Sequence, residues 1–177
     1  MRLVSYAAAC ALVALVACGE WKSGHAISAQ PLAKESFNGM LMVAVPLSRD
    51  RALAVMKARH EGMEAIGDSA KAAHRALSGP DLATIRSNAA KIAQLSQQAS
   101  GWFPAGTGPD IAKTRAKADI WQNSDDFALK LRNFQAAART FNAAASGNDA
   151  AAISSAFGQL NGACKACHEK YRAEEQH

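Results

Sequence analysis

Apolar side chains recur every three or four residues from Ser48 onward, which is the period of an amphipathic α-helix. The pattern is interrupted by short stretches rich in Gly, Pro, Ser and Asp: SGPD at 78–81, GWFPAGTGPD at 101–110 and SGND at 146–149. Gly and Pro end helices, and Ser or Asp can cap the next one. The pattern therefore predicts four helices, near residues 48–77, 80–100, 111–145 and from 150 onward. No strand pattern competes, so we predict an all-α, antiparallel four-helix bundle.

The apolar stripes on the first and last helices predict which side chains face the core. The stripe on the first helix has seven-residue spacing and consists of Met56, Met63, Ala70 and Leu77. The stripe on the last helix is an unbroken series at three- and four-residue spacing, formed by Ile153, Phe157, Leu160, Cys164, Cys167 and Tyr171. Two cysteines are thus predicted to point into the bundle.

The segment CKACH places Cys164, Cys167 and His168 within five residues. A structural zinc site needs a second pair of ligands, whereas Cys10 and Cys18 lie together at the far N-terminus. A thioredoxin-type dithiol needs a strand leading into a helix, whereas the residues before Cys164 have a helical pattern. The C-x-x-C-H spacing instead indicates covalent haem attachment, in which both thiols add to the haem vinyl groups and the imidazole binds iron. Positions i, i+3 and i+4 share one helix face, so all three side chains can reach one porphyrin.

The N-terminal residues predict export. A positive start is followed by an uncharged run at 3–17, which is typical of a secretory signal and too short to span a membrane. The sequence LVAC at 15–18 resembles the bacterial lipoprotein signal, which predicts a lipid on Cys18. That cysteine would otherwise lack a disulfide partner in an oxidising compartment. Ordinary signal cleavage near residues 26–29, without a lipid, is the alternative.

These boundaries predict a signal peptide at 1–17, a lipidated N-terminus and tether at 18–47, and one bundle domain at 48–177. The protein is then periplasmic and touches a membrane only through the lipid. The net charge is +5, but Lys and Arg are scattered singly along the chain. We therefore do not expect nucleic acid as a partner.

Several motifs together resemble the class II c-type cytochromes, the cytochrome c' family. They are CKACHEKYR at 164–172, WFPAGTG at 102–108, KADIW at 117–121, and an arginine on the first helix followed four residues later by the distal residue. The resemblance covers roughly residues 50–173. The stretch before it departs from the family pattern.

The resemblance implies one haem c on Cys164 and Cys167, with His168 as the proximal iron ligand. It implies that Met63, four residues after Arg59, faces the other side of the iron. Met63 is then a thioether ligand, as in the low-spin branch of the family. The alternatives are an open distal site or ligation by Met56.

The resemblance also assigns three further residues to the haem surroundings. Arg59 is expected beside a haem propionate, with a route to the surface as the alternative. Arg172 is expected to shield the proximal side, or else to be a solvated charge at the helix end. Trp121 is expected to be a haem-contact or core aromatic.

Two functions are compatible with these residues. A single-electron carrier with His168 and Met63 as axial ligands is favoured, and it would act with redox partner proteins. The alternative is a five-coordinate protein that binds NO or CO. No acid or base of assignable role lies beside the predicted distal site, so we do not expect an enzyme. Family members often pair through the first helix, which makes a homodimer an expectation here.

Overall fold

A computed structural model describes residues 46–79 and 81–174 of the chain. Its elements are α1 Arg49–Leu77, α2 Leu82–Gln98, a short 3-10 turn Ala99–Gly101, α3 Asp119–Gln122, α4 Ser124–Ala145 and α5 Ala150–Tyr171. The β-structure of the described residues is one isolated bridge, between Ala116 and Arg172. The four long helices confirm the predicted all-α four-helix bundle.

Side-chain caps begin three of the long helices where the sequence pattern places breaks. The Ser48 hydroxyl accepts from the backbone N–H of Arg51 at 3.4 Å, and Asp81 accepts from that of Thr84 at 3.0 Å. Asp149 accepts from the first turn of α5. Each cap satisfies a backbone donor that the helix itself leaves unpaired. The helix starts at 49, 82 and 150 therefore follow from local sequence.

The long helices pack in a chain of neighbours. α1 packs mainly against α2, α2 against α4, and α4 against α5, whereas α1 and α5 make few direct contacts. The main core draws on all four; its fully enclosed side chains include Ile92, Phe141, Ile153 and Leu160. The interface between α1 and α5 is therefore smaller than the interfaces between the other neighbouring helices.

The predicted third helix, 111–145, is wrong in its first part. Residues 102–118 form an irregular loop, the 102–118 loop, followed by the single turn α3 and then α4 from Ser124. Lys117 N–H donates to the Tyr171 carbonyl at 3.0 Å, and Ala173 N–H donates to the Arg115 carbonyl at 2.7 Å. Because residues 115–117 pair with the end of α5, they do not continue a helix. Tertiary hydrogen bonds override the local apolar period here.

The buried face of α1 is rotated from the predicted stripe. Met56 is buried as expected, but Met63, Ala70 and Leu77 are half-buried at the edge of the core. The centre of the face has small or polar residues, and its members are Ala52, Met56, Arg59, Gly62, Ile66, Ser69, Ala73 and Ala76. Ile66 and Ala73, which the apolar pattern also places on this stripe, are buried, whereas Leu53, placed there too, is exposed. Hydrophobicity alone misses Arg59 and Gly62, because the contact with the 102–118 loop requires a buried arginine and a glycine.

The predicted signal at 1–17, the lipid site at Cys18 and the tether up to residue 45 lie outside the described residues. They stay predictions. Across 46–79 and 81–174, the helices are too short or too polar to cross a membrane.

Candidate functional site

Cys164, Cys167 and His168 lie on the C-terminal half of α5, in the same uninterrupted helix. Cys164 packs against the main core. Cys167 packs against a second apolar cluster, whose buried members are Ile120, Phe127 and Tyr171. Both thiols are free and half-buried, whereas His168 is exposed overall. The structure therefore brings the three predicted attachment residues to one helix face at the edge of the core.

Burial changes the ionisation of all three groups. It raises the pKa of the Cys164 thiol to about 11, with a smaller effect from the neighbouring Cys167, and it also raises the pKa of Cys167. The pKa of His168 is lowered, first by partial burial of its ring and then by the positive charges of Arg172 and Arg115. At neutral pH the thiols are protonated and the imidazole is neutral. A neutral imidazole has the nitrogen lone pair that a metal needs.

A polar anchor fastens the end of α5 to the start of α4. The hydroxyl of the buried Tyr171 donates to Asp126 Oδ2 at 2.6 Å, and Lys170 Nζ donates to the same oxygen at 2.9 Å. The Tyr171 ring meets Phe127 edge-on at 5.2 Å. Asp126 was not predicted from the sequence, because an acidic residue in the first turn of a helix is common. The anchor holds the turn of α5 that follows His168.

The registration of α1 against α5 shows which methionine lies level with His168. The rings of His74 and Phe157 stack at 5.7 Å, which fixes one point of contact between these antiparallel helices. Met63 precedes His74 by eleven residues, and His168 follows Phe157 by eleven. At 1.5 Å per residue both lie about 16 Å along the axes from that contact, so they are at about the same height. Met56 is about 10 Å further along, beyond the end of α5 at Tyr171.

Arg59 is buried, with 5% of its surface exposed, and its guanidinium holds the 102–118 loop. It donates to the carbonyls of Trp102 and Thr107 at 3.3 and 3.1 Å, and to the hydroxyls of Thr107 and Thr114 at 3.3 and 3.2 Å. Its charge lies over the rings of Phe103 and Trp121, at 5.2 and 5.9 Å from their centroids. The alternative of a route to the surface is therefore wrong. These four acceptors are neutral loop oxygens, so the expected propionate contact stays a prediction.

Trp121 and Arg172 occupy different surroundings. Trp121 is half-buried, and its Nε1–H donates to the carbonyls of Phe103 and Pro104 at 3.2 and 3.0 Å. It packs in the same cluster as Cys167. Arg172 is exposed just after α5, where its backbone N–H donates to the His168 carbonyl at 3.0 Å. Their predicted roles beside a haem stay predictions.

Sequence reasoning missed the partners of Arg59. Thr107 is fully buried, and Gly62 lies under the indole of Trp102, so close that a Cβ at Gly62 would stand 2.2 Å from Cη2. An isolated glycine inside an amphipathic helix is a signal of close packing. Gly62, three residues after Arg59, was that signal.

The chain belongs to the cytochrome c' family, whose model matches residues 54–172. The cytochrome c' of Pararhodospirillum photometricum is 35% identical over 121 residues, covering 67% of this chain and 96% of that protein. The cytochrome c' of Rhodospirillum rubrum is 36% identical over 123 residues, covering 68% of this chain and 78% of that protein.

Solved structures show the same fold. Cytochrome c' from Thermochromatium tepidum has a TM-score of 0.65 at 30% identity, covering 73% of this chain and all of that one. A cytochrome c' with ligand-controlled dimer dissociation has a TM-score of 0.65 at 31% identity, again covering 73% of this chain and all of that one. A nitric oxide complex of a cytochrome c' variant from Alcaligenes xylosoxidans has a TM-score of 0.62 at 26% identity, covering 72% of this chain and 98% of that one.

The family implies a covalently bound c-type haem, and the residues present fit that group. Two thiols and a neutral imidazole share one face of α5. A cavity of about 430 Å³ opens beside the Cys167 cluster, and its walls are mostly apolar: Ser100, Phe103, Ala105, Ile120, Trp121, Ser124, Phe127, Ala128 and Leu131. Cys164, Cys167 and His168 do not line this cavity, so the fit to a haem is based on the two thiols and the imidazole themselves. When bound, the haem supplies an iron that can exchange an electron or accept a small diatomic ligand. Within 46–79 and 81–174, His, Cys, Asp and Glu form no cluster of three suited to a bare metal ion.

Proposed function

We propose that this protein is a periplasmic haem protein of the cytochrome c' type that binds NO or CO on the side of the haem facing α1. Cys164 and Cys167 would hold one haem, and His168 would coordinate its iron as the proximal ligand. The observation that carries the gas-binding function is the packing of Met63, which lies half-buried against the apolar core. In the proposal, the Met63 thioether keeps this packing when the haem is bound, so that the sixth iron position is left to a small ligand. The proposal includes no catalytic step.

Family relationships support this choice. The two relatives and the three solved structures described above, at 26 to 36% identity, are cytochromes c', and one of those structures is a nitric oxide complex. In the proposal, the chain contributes a neutral proximal imidazole and an apolar distal wall. Met63 is apolar, and the guanidinium of Arg59, one turn earlier on α1, is directed to the 102–118 loop, so the distal wall favours neutral diatomic ligands over anions.

A second candidate is the single-electron carrier with His168 and Met63 as axial ligands. The level registration of Met63 with His168 favours it, because a modest rotamer change could turn the thioether toward the iron. The same registration argues against Met56 as an axial ligand of the iron. A soft sulfur ligand would stabilise the reduced iron and raise its potential.

The electron paramagnetic resonance and absorption spectra of the oxidised protein separate these candidates. For the gas-binding protein we expect a high-spin signal, rapid CO binding after reduction, and the same spin state in Met63→Ala. A low-spin native protein that becomes high-spin only in Met63→Ala would overturn gas binding and establish the electron carrier. Met56→Ala is the matched control, since it truncates a methionine on the same helix one heptad away and should preserve the native spin state.

Pairing of two copies is part of the proposal, supported by the related protein with ligand-controlled dimer dissociation. Sedimentation of the reduced protein with and without CO tests it. A dimer that dissociates on CO binding is the expected result, whereas a monomer under both conditions would contradict it.

A further inference from the structure

We infer that the 102–118 loop braces the distal helix α1 against the haem-bearing end of α5, and that Arg59 is the positioning residue that holds this brace. The consequence for the iron rests on the proposed role of His168 as its ligand. The brace itself consists of contacts among residues of this chain. It runs from the turn of α1 beside Met63 to the turn of α5 after His168.

The first half of the brace joins the loop to α1. The Trp102 indole lies directly on the backbone of Gly62, next to Met63. One turn earlier, the Arg59 guanidinium donates four hydrogen bonds to Trp102, Thr107 and Thr114. These contacts attach the loop to α1 at Arg59 and at Gly62, which are the two ends of a single helical turn. The backbone on which Met63 stands is therefore held by the loop.

The Thr107 hydroxyl stiffens the loop around the guanidinium. It accepts from Arg59 Nη1 at 3.3 Å and donates to the Pro104 carbonyl at 2.8 Å, and the residue is fully buried. The Trp121 Nε1–H donates to the same carbonyl at 3.0 Å. Every donor of a planar guanidinium has a fixed direction, so its acceptors are held in one arrangement. These hydrogen bonds therefore hold the loop in one conformation.

The second half of the brace joins the loop to α5, and one oxygen atom, Thr114 Oγ1, connects it to Arg59. Thr114 Oγ1 accepts from Arg59 Nη2 at 3.2 Å and from the backbone N–H of Ala116 at 3.2 Å. Ala116 forms the antiparallel bridge with Arg172, whose own N–H donates to the His168 carbonyl at 3.0 Å. A continuous path of hydrogen bonds and short backbone links therefore leads from Arg59 to the backbone of His168.

This connection matters because the end of a helix is its least constrained part. The last carbonyls of α5 have no partner within the helix. The Tyr171 carbonyl receives Lys117 N–H, and the Ala173 carbonyl receives Arg115 Nε–H at 3.0 Å. These bonds stop the last turn from fraying and so hold the backbone from which the His168 side chain projects. A displacement of α1 is then transmitted to His168 through the loop as well as through the haem.

Thr114→Val tests the brace in the haem-loaded protein with the smallest change of shape. It removes the oxygen shared by Arg59 and Ala116 and keeps the volume of the side chain. Amide hydrogen exchange of Lys117 and Ala173 should accelerate by about tenfold or more, because both amides bond across the loop–α5 junction. Amides in the α2–α4 interface, such as that of Ala138, should keep their protection. Unchanged exchange at Lys117 and Ala173 would overturn the inference.

Arg59→Lys and Arg86→Lys form a matched pair. Arg86 also holds a loop, at the opposite end of the bundle, where it donates to the carbonyls of Ala145 and Gly147 and to Asn148 Oδ1 at 2.8 to 3.1 Å. Arg59→Lys should reproduce the faster exchange at Lys117 and Ala173 and broaden the iron signals that report the His168 orientation. Arg86→Lys should do neither, although it can lower the melting temperature.

The two arginine variants also separate this inference from the proposed function. If both change the iron signals equally, Arg59 is merely structural and the positioning role is wrong. The spin state of the native protein decides between gas binding and electron transfer, whereas the exchange of Lys117 and Ala173 decides the brace. Either the proposed function or the brace can therefore be wrong while the other is correct.

Discussion

At the scale of single residues, Gly62 allows the closest approach between α1 and the 102–118 loop. A Cβ there would lie 2.2 and 2.4 Å from two carbons of the Trp102 indole, which real atoms do not tolerate. We expect Gly62→Ala to lower the free energy of unfolding by about 1–3 kcal/mol, the usual cost of overpacking. Urea unfolding monitored by circular dichroism measures this change.

Gly67→Ala on the same helix is the control for Gly62→Ala. A Cβ at Gly67 meets nothing within 4 Å. Alanine should therefore stabilise the helix there by about 0.5–1 kcal/mol, because it restricts the unfolded chain. Equal stability of the two variants would show that Trp102 does not lie against Gly62.

Asp126 makes the anchor of α5 dependent on pH. Hydrogen bonds from Tyr171, then from Lys170, lower the pKa of this carboxyl group. A carboxyl group with a lowered pKa in the folded state adds stability above its unfolded pKa of about 4 and loses it as the pH falls through the folded value. Asp126→Asn should therefore be less stable than the native protein near neutral pH, and the difference should shrink below about pH 4.

Asp125→Asn is the matched control for this pH dependence. Asp125 stands beside Asp126 in the first turn of α4, so both interact with the helix N-terminus. Only Asp126 receives Tyr171 and Lys170. Thermal unfolding between pH 3 and 7 should show the larger convergence for Asp126→Asn, and the same curve for both variants would refute the role of the anchor.

At the scale of elements, Phe157 joins three of the long helices. Its ring stacks on His74 of α1 at 5.7 Å and meets Phe141 of α4 at 5.2 Å. This contact fixes the position of α1 along the axis of α5. The placement of Met63 and His168 at the same height depends on that position. Phe157→Ala should lower the free energy of unfolding by about 3–5 kcal/mol, as for other buried phenylalanines. The haem absorption spectrum should also broaden, because the two helices lose their registration.

Leu129→Ala provides the comparison for Phe157→Ala. Leu129 lies on α4 with 49% of its surface exposed. Its truncation should change the free energy of unfolding by no more than about 0.5 kcal/mol, as is usual at the surface. A similar loss in both variants, by urea unfolding, would contradict the central position of Phe157.

At the scale of the whole molecule, the few direct contacts between α1 and α5 predict that the haem is a structural part of the bundle. The double variant Cys164→Ser/Cys167→Ser should lose its haem on acid-acetone extraction and unfold at a much lower temperature. Each single variant retains one thiol and should keep part of the haem. Retention of haem by the double variant after extraction would contradict attachment through these cysteines.

The sequence by itself was enough to predict the features that depend on neighbouring residues. The apolar period and the SGPD and SGND breaks predicted helix boundaries near 77, 80, 145 and 150, within two residues of those observed, because caps and turns act over a few residues. The CKACH motif identified Cys164, Cys167 and His168 because one helix turn brings them together without help from the rest of the fold. Bundle class and family followed from these local signals.

Only the tertiary structure decided how the loop and α1 are arranged. Residues 111–118 have a helical apolar period but pair with α5, and Arg59 turns to the loop rather than to the surface. The level of Met63 against His168 depends on one ring contact between α1 and α5. The hydrogen bonds of Arg59 and Arg115 join residues 43 to 58 positions apart. Such contacts exist only after the helices have packed, and they outweigh local preferences because buried polar groups must find partners.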